Sequence, residues 1–155
     1  MIKEFESLTD KEKELLLRAT ALVSLYAALL DGKLEEHENQ EAKTLAHLRT
    51  YTAAPILRAY YLEIEPDFKK FYSEWMGKLP EKNQDKIDFL THEIIKLNGI
   101  LKKMENSFSI ELKRSLLSYA MHISNSKKNL LESFLFPIDI AGLTETSVKS
   151  FNHNS

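Results

Sequence analysis

The sequence predicts an all-α fold, a compact bundle of about seven helices in a single domain over residues 1–155. Three observations predict it. Apolar residues recur every three to four positions along most of the chain. Only 4 Gly and 4 Pro occur among the 155 residues. Finally, no stretch alternates apolar and polar residues convincingly, as a half-buried strand does. The content of 43% hydrophobic and 28% charged residues is that of a globular chain.

The first helix is predicted to begin after Thr9. Thr9 and Glu12 form a capping-box pattern, in which each side chain accepts a hydrogen bond from the backbone N–H of the other residue. An apolar stripe then continues to Leu30 and is broad enough for a central helix. Asp31-Gly32 ends this helix, because Gly adopts the left-handed conformation after a helix at little cost.

Shorter helices are predicted in the middle of the chain. A second helix begins near Leu34, with acidic residues at the positive end of its dipole. Pro55 and Pro66 are typical of the first turns of two further helices, where Pro is tolerated. Gly77 and Pro80 then interrupt the pattern. The apolar bulk of this region is aromatic: Tyr61, Phe68, Phe71, Tyr72 and Trp75.

A long helix is predicted over residues 80–104, although Asn98-Gly99 is a pattern that ends some helices early. Ser107 or Ser109 is predicted to cap the helix that follows. Two short helical pieces complete the chain. The apolar residues of the helix after the cap are Ile110, Leu112, Leu116, Leu117, Ala120 and Ile123.

Two parts of the chain are similar when the sequence is shifted by 94 residues. The matched segments are Leu22-Val23-Ser24 with Leu116-Leu117-Ser118, Asp31-Gly32-Lys33 with Asn125-Ser126-Lys127, and Glu38 with Glu132. We interpret them as a degenerate internal duplication over about residues 9–48 and 107–151, in which each two-helix unit packs against its copy. Because the identities are few, chance similarity is the alternative.

Composition excludes several classes of function. Without Cys, the chain has no disulfides, no thiol chemistry and no Cys-ligated zinc. The formal net charge of −2 gives no electrostatic reason to bind nucleic acid. The N-terminus lacks the pattern of a signal peptide, and the longest apolar stretch, 12 residues from Ala19, is too short to cross a bilayer. We therefore expect a cytoplasmic protein with no transmembrane segment and no nucleic-acid partner.

The segment Asp31–Glu38, which we call the acidic elbow, is the most informative motif. It matches the second half of an EF-hand loop, with Asp-Gly followed by a Glu six residues after the Gly. The first half is missing, because Ala27 and Leu29 occupy the positions of the first two carboxylates. The acidic elbow is therefore not an EF-hand, but two or three of its oxygens form a candidate cation site.

The position of Asp31 favours a cation. A carboxylate at the C-terminal end of a helix is unfavourable by about 0.3–1 kcal/mol, and a bound cation removes that penalty. Asp31 with Glu35 or Glu38 supplies hard oxygen ligands, which favour Ca²⁺ or Mg²⁺ over Zn²⁺. The alternative is that the three acids only suit the N-terminus of the next helix, and that Asp31-Gly32 is only a helix stop.

The stretch AALLDGKLEEHE, residues 27–38, resembles the signature of TerB-like proteins, the tellurite-resistance family. Residues 142–149 resemble the end of that family's repeats more loosely. The resemblance implies an all-helical domain with an internal duplication and an acidic, proposed metal site, linked to tellurite and other chemical stress and to phage-related defence. It implies Asp31 and Glu38 as ligands and Glu35 as a neighbour. In the second copy, Asn125 and Glu132 correspond to them, and Asn-Ser in place of Asp-Gly removes one charge.

We therefore expect a non-enzymatic TerB-like domain that binds a divalent cation weakly and acts through protein partners in a stress response. The first alternative is a metal-free helical adaptor whose acidic elbow docks a basic partner. The second is a helical metalloenzyme using Asp85, Asp88 and His92, which share one face of a helix. We consider a solvated helix face the better interpretation of those three residues. No nucleophile elbow, phosphate loop or dinucleotide fingerprint occurs.

Overall fold

The structure is a computed structural model that describes residues 3–30, 55–104 and 106–123. Within these ranges the fold is all-α, as the sequence predicts, and no strand occurs. The count of about seven helices and the duplication both extend over residues outside these ranges and stay predictions. The predicted helix near Leu34 and the two final helical pieces also lie outside them.

Within each described range, the α-helices follow one another with short connections. Three-residue 3₁₀ turns at Lys3–Phe5, Pro55–Leu57 and Glu65–Asp67 precede some of them. The helices are α1 (Asp10–Leu17), α2 (Ala19–Leu30), α3 (Arg58–Ile64), α4 (Phe68–Lys78), α5 (Asn83–Met104) and α6 (Ser107–Ile123).

The helix that was predicted to begin after Thr9 and continue to Leu30 is divided into two helices, α1 and α2. The capping box is confirmed: the Glu12 backbone N–H donates to Thr9 Oγ1 at 3.2 Å, and the Thr9 backbone N–H donates to Glu12 Oε1 at 3.0 Å. The helix is interrupted at Arg18, where φ is −94° and ψ is 3°. The single continuous helix expected up to Leu30 is therefore wrong, and at the break the Arg18 carbonyl oxygen accepts a hydrogen bond from the Trp75 side chain of α4.

Helix α2 is the centre of the bundle. Every residue from Ala19 to Leu29 is buried, and the helix carries no charged side chain. It packs against α4, α5 and α6, so that apolar residues are needed around its whole circumference. The broad apolar stripe in the sequence is confirmed as the signature of a central helix.

The aromatic residues of the middle region form much of the core, and all five that the sequence singles out are buried. The neighbouring Tyr60 is completely buried, and its hydroxyl donates to the Leu16 carbonyl oxygen at 2.7 Å. Tyr61 and Ser115 are joined by a hydrogen bond between their hydroxyls. Pro55 begins the 3₁₀ turn before α3, and Pro66 lies in the one before α4, which agrees with their predicted first-turn positions.

Helix α5 begins at Asn83, three residues later than the predicted start, and continues through Asn98-Gly99 to Met104. Because α5 packs on both α2 and α6, tertiary contacts override the local tendency of that pair to end a helix. Asn98 is buried there.

The N-cap of α6 is Asn106 and not a serine. Asn106 Oδ1 accepts from the Ser109 backbone N–H at 2.8 Å, and Ser109 Oγ accepts from the Asn106 backbone N–H at 3.0 Å. Ser109 is thus the reciprocal partner of the cap. Ile110 was expected in the core but is 43% exposed, because it lies two residues from the buried Leu112 and hence on the opposite side of the helix.

In the ranges that the structure describes, none of the helices combines the length and apolar character needed to span a membrane.

Candidate functional site

The five residues predicted to bind a cation lie outside the described residues. They are Asp31, Glu35 and Glu38 in the acidic elbow, and Asn125 and Glu132 in the second copy. The structure does describe the helix that leads to the acidic elbow. Helix α2 is described as far as Leu30, and Leu29 is only 8% exposed, so the part of the helix that precedes the acidic elbow in sequence is largely buried.

The alternative metal site on α5 is exposed. Asp85, Asp88 and His92 all face solvent, and the Gln84 side-chain amide donates to Asp88 Oδ1 at 2.9 Å. No group of three His, Asp or Glu side chains is placed to hold a metal ion in the part of the chain that the structure describes. The arrangement is that of a solvated helix face.

A concave region lies between α1, α4 and α5, and we refer to it as the groove. It is open to solvent, and its volume is about 910 Å³. Cavities of roughly 300–1,000 Å³ are typical of ligand sites. Leu15, Trp75 and Ile100 contribute apolar surface to its lining, and acidic and basic side chains from all three helices surround them.

Arg18 lines the groove and joins the end of α1 to α4. Its Nε donates to Glu74 Oε1 at 2.8 Å, and its Nη1 donates to the Glu14 carbonyl oxygen at 3.3 Å. Its guanidinium carbon lies 4.6 Å from the centre of the Phe71 ring, a cation–π distance. The hydrogen bond from Arg18, and then its charge, hold the pKa of the Glu74 carboxyl below its usual value. Three separate contacts thus fix the guanidinium.

A second ion pair joins α1 to α5. Lys103 Nζ lies 3.0 Å from Glu12 Oε2 and 3.1 Å from Glu12 Oε1. The pKa of Glu12 is lowered chiefly by the backbone N–H of Thr9 and next by Lys103. Glu12 also belongs to the capping box. Its carboxylate therefore both caps the N-terminus of α1 and forms the ion pair that connects α1 to α5.

Three charged groups of the groove have no ion-pair partner among the described residues: Lys11, Glu14 and Lys78. Lys11 and Glu14 are exposed on α1. Lys78 is exposed on α4, with its Nζ 5.2 Å from the centre of the Trp75 ring. The groove therefore presents both signs of charge to solvent.

Two helical glycines, Gly77 of α4 and Gly99 of α5, line the same groove. A Cβ atom built on either one meets no heavy atom within 4 Å. From the sequence, Gly77 was interpreted as a break, Gly99 was placed inside the predicted long helix, and the groove was not predicted. The signal that could have found it is two glycines inside helical patterns in a chain with only 4 Gly.

No family model matches the sequence, and no curated protein or solved structure is significantly similar to it.

Proposed function

We propose that the chain is a non-enzymatic, TerB-like helical domain that binds a divalent cation weakly at the acidic elbow and acts through protein partners in a cytoplasmic stress response of the tellurite or phage type. Ca²⁺ and Mg²⁺ are the favoured ions, because the ligands are carboxylate oxygens. Asp31 and Glu38 are the principal ligands, with Glu35 beside them. Asn125 and Glu132 supply the corresponding, weaker set.

The observation that supports the proposal is the burial of α2 up to Leu29, directly before the predicted helix stop at Asp31-Gly32. The last four carbonyl groups of an α-helix have no partner within it, and they make its C-terminal end electronegative. The predicted stop at Asp31-Gly32 adds the full negative charge of Asp31 beside that end. A helix enclosed by three others is also a firm support for a ligand at its terminus.

The metal-free adaptor is the alternative that we retain, because the same negative charge suits a basic partner surface. The two functions differ in their response to a chelator. A partner captured through the acidic elbow alone is released by salt and unaffected by chelator, whereas a cation-dependent partner is released by both.

Calorimetric titration of the full chain with Ca²⁺, Mg²⁺ and Zn²⁺ tests the proposal. We expect saturable heat with Ca²⁺ or Mg²⁺ for the parent, and its loss in Asp31→Asn and Glu38→Gln. Asp85→Asn is the matched control, since it neutralises an exposed carboxylate on α5 that is outside the predicted site.

The same ions are expected to raise the melting temperature of the parent and the control, because a ligand that binds only the folded state stabilises it. Equal heats from the parent and Asp31→Asn would remove Asp31 from the site. An absence of heat for all three ions would reject the cation and leave the metal-free adaptor.

A further inference from the structure

We draw no further inference here: the strongest candidate, the open groove between α1, α4 and α5, carries none because nothing among the described residues shows what occupies it.

Discussion

Trp75 Nε1 donates a hydrogen bond to the backbone carbonyl oxygen of Arg18, 3.1 Å away, at the residue that separates α1 from α2. The same carbonyl also accepts from the Leu22 backbone N–H at 3.0 Å. The Arg18 carbonyl oxygen therefore accepts two hydrogen bonds, one from the backbone of α2 and one from a side chain of α4. The interruption of the helix and the contact from α4 therefore meet at one residue, which also lines the groove.

Trp75→Phe is expected to destabilise the protein. The substitution removes the indole donor and part of a buried ring that is 4% exposed. Because the Arg18 carbonyl keeps its bond from Leu22, we expect a loss of about 1–3 kcal/mol in the free energy of unfolding. Urea denaturation of the variant and the parent measures it. Unchanged stability would mean that the hydrogen bond makes no net contribution.

Gly99→Ala is expected to stabilise the protein by roughly 0.5–1 kcal/mol. Alanine is a better helix former, and the space around the added methyl group is open. Gly77→Ala should gain less, because Gly77 is in the last turn of α4. Urea denaturation again provides the measurement. A loss of stability in Gly99→Ala would show that the room beside α5 is not free.

Features set by neighbouring residues were predictable from the sequence. The capping box at Thr9 and the aromatic core of the middle region depend on short spacings, and the structure confirms both. The N-cap of α6 was missed by one residue, because Asn106 and Ser107 are both good caps. Only the hydrogen bonds between Asn106 and Ser109 distinguish them.

Features set by distant residues were not predictable. At the break, the Arg18 carbonyl oxygen accepts a hydrogen bond from Trp75, which is 57 residues away, and no Gly or Pro marks the break in the sequence. The groove requires three helices at fixed positions, and a single sequence does not give their arrangement. The predicted ligand Asp31 and its partners lie outside the described residues, so the cation site stays a prediction.

Thr9→Ala is expected to cost about 0.5–2 kcal/mol of stability, since it removes the side chain that caps α1. The Glu12 carboxylate would keep its ion pair with Lys103, so part of the attachment of α1 survives. Thr9→Ser is the matched control, because it retains the hydroxyl and should restore most of the loss. Thermal unfolding followed by circular dichroism compares the three proteins. Equal melting temperatures would contradict a capping role for Thr9.

Lys113 of α6 is expected to make the free energy of unfolding depend on pH. It is buried at 7% exposure, and burial, assisted by the charge of Lys102, lowers its pKa to about 8. Among the described residues, the elements packed against α6 offer no opposite charge to Lys113. Helix α2 and the turn Pro55–Leu57 carry no charged residue, and α5 contributes Lys102. The folded protein therefore disfavours the charged amine.

The sign of the effect follows from proton binding. An unfolded Lys has a pKa of about 10.4, so between about pH 8 and 10.4 the unfolded chain binds more protons at this residue than the folded one does. Burial of the charged Lys113 amine should therefore destabilise the fold fully below about pH 8. This destabilisation should decrease as the pH rises toward about 10.4. Lys113→Met removes the group and is expected to gain roughly 1–3 kcal/mol at neutral pH.

Urea denaturation of the parent and Lys113→Met at several pH values isolates this contribution, because every other titrating group is common to both proteins. The stability advantage of Lys113→Met should shrink as the pH rises above about 8. Lys102→Met is the control, since it removes only the assisting charge and should have the smaller effect. If the difference between the parent and Lys113→Met were constant with pH, the amine of Lys113 would not be titrating in the folded protein.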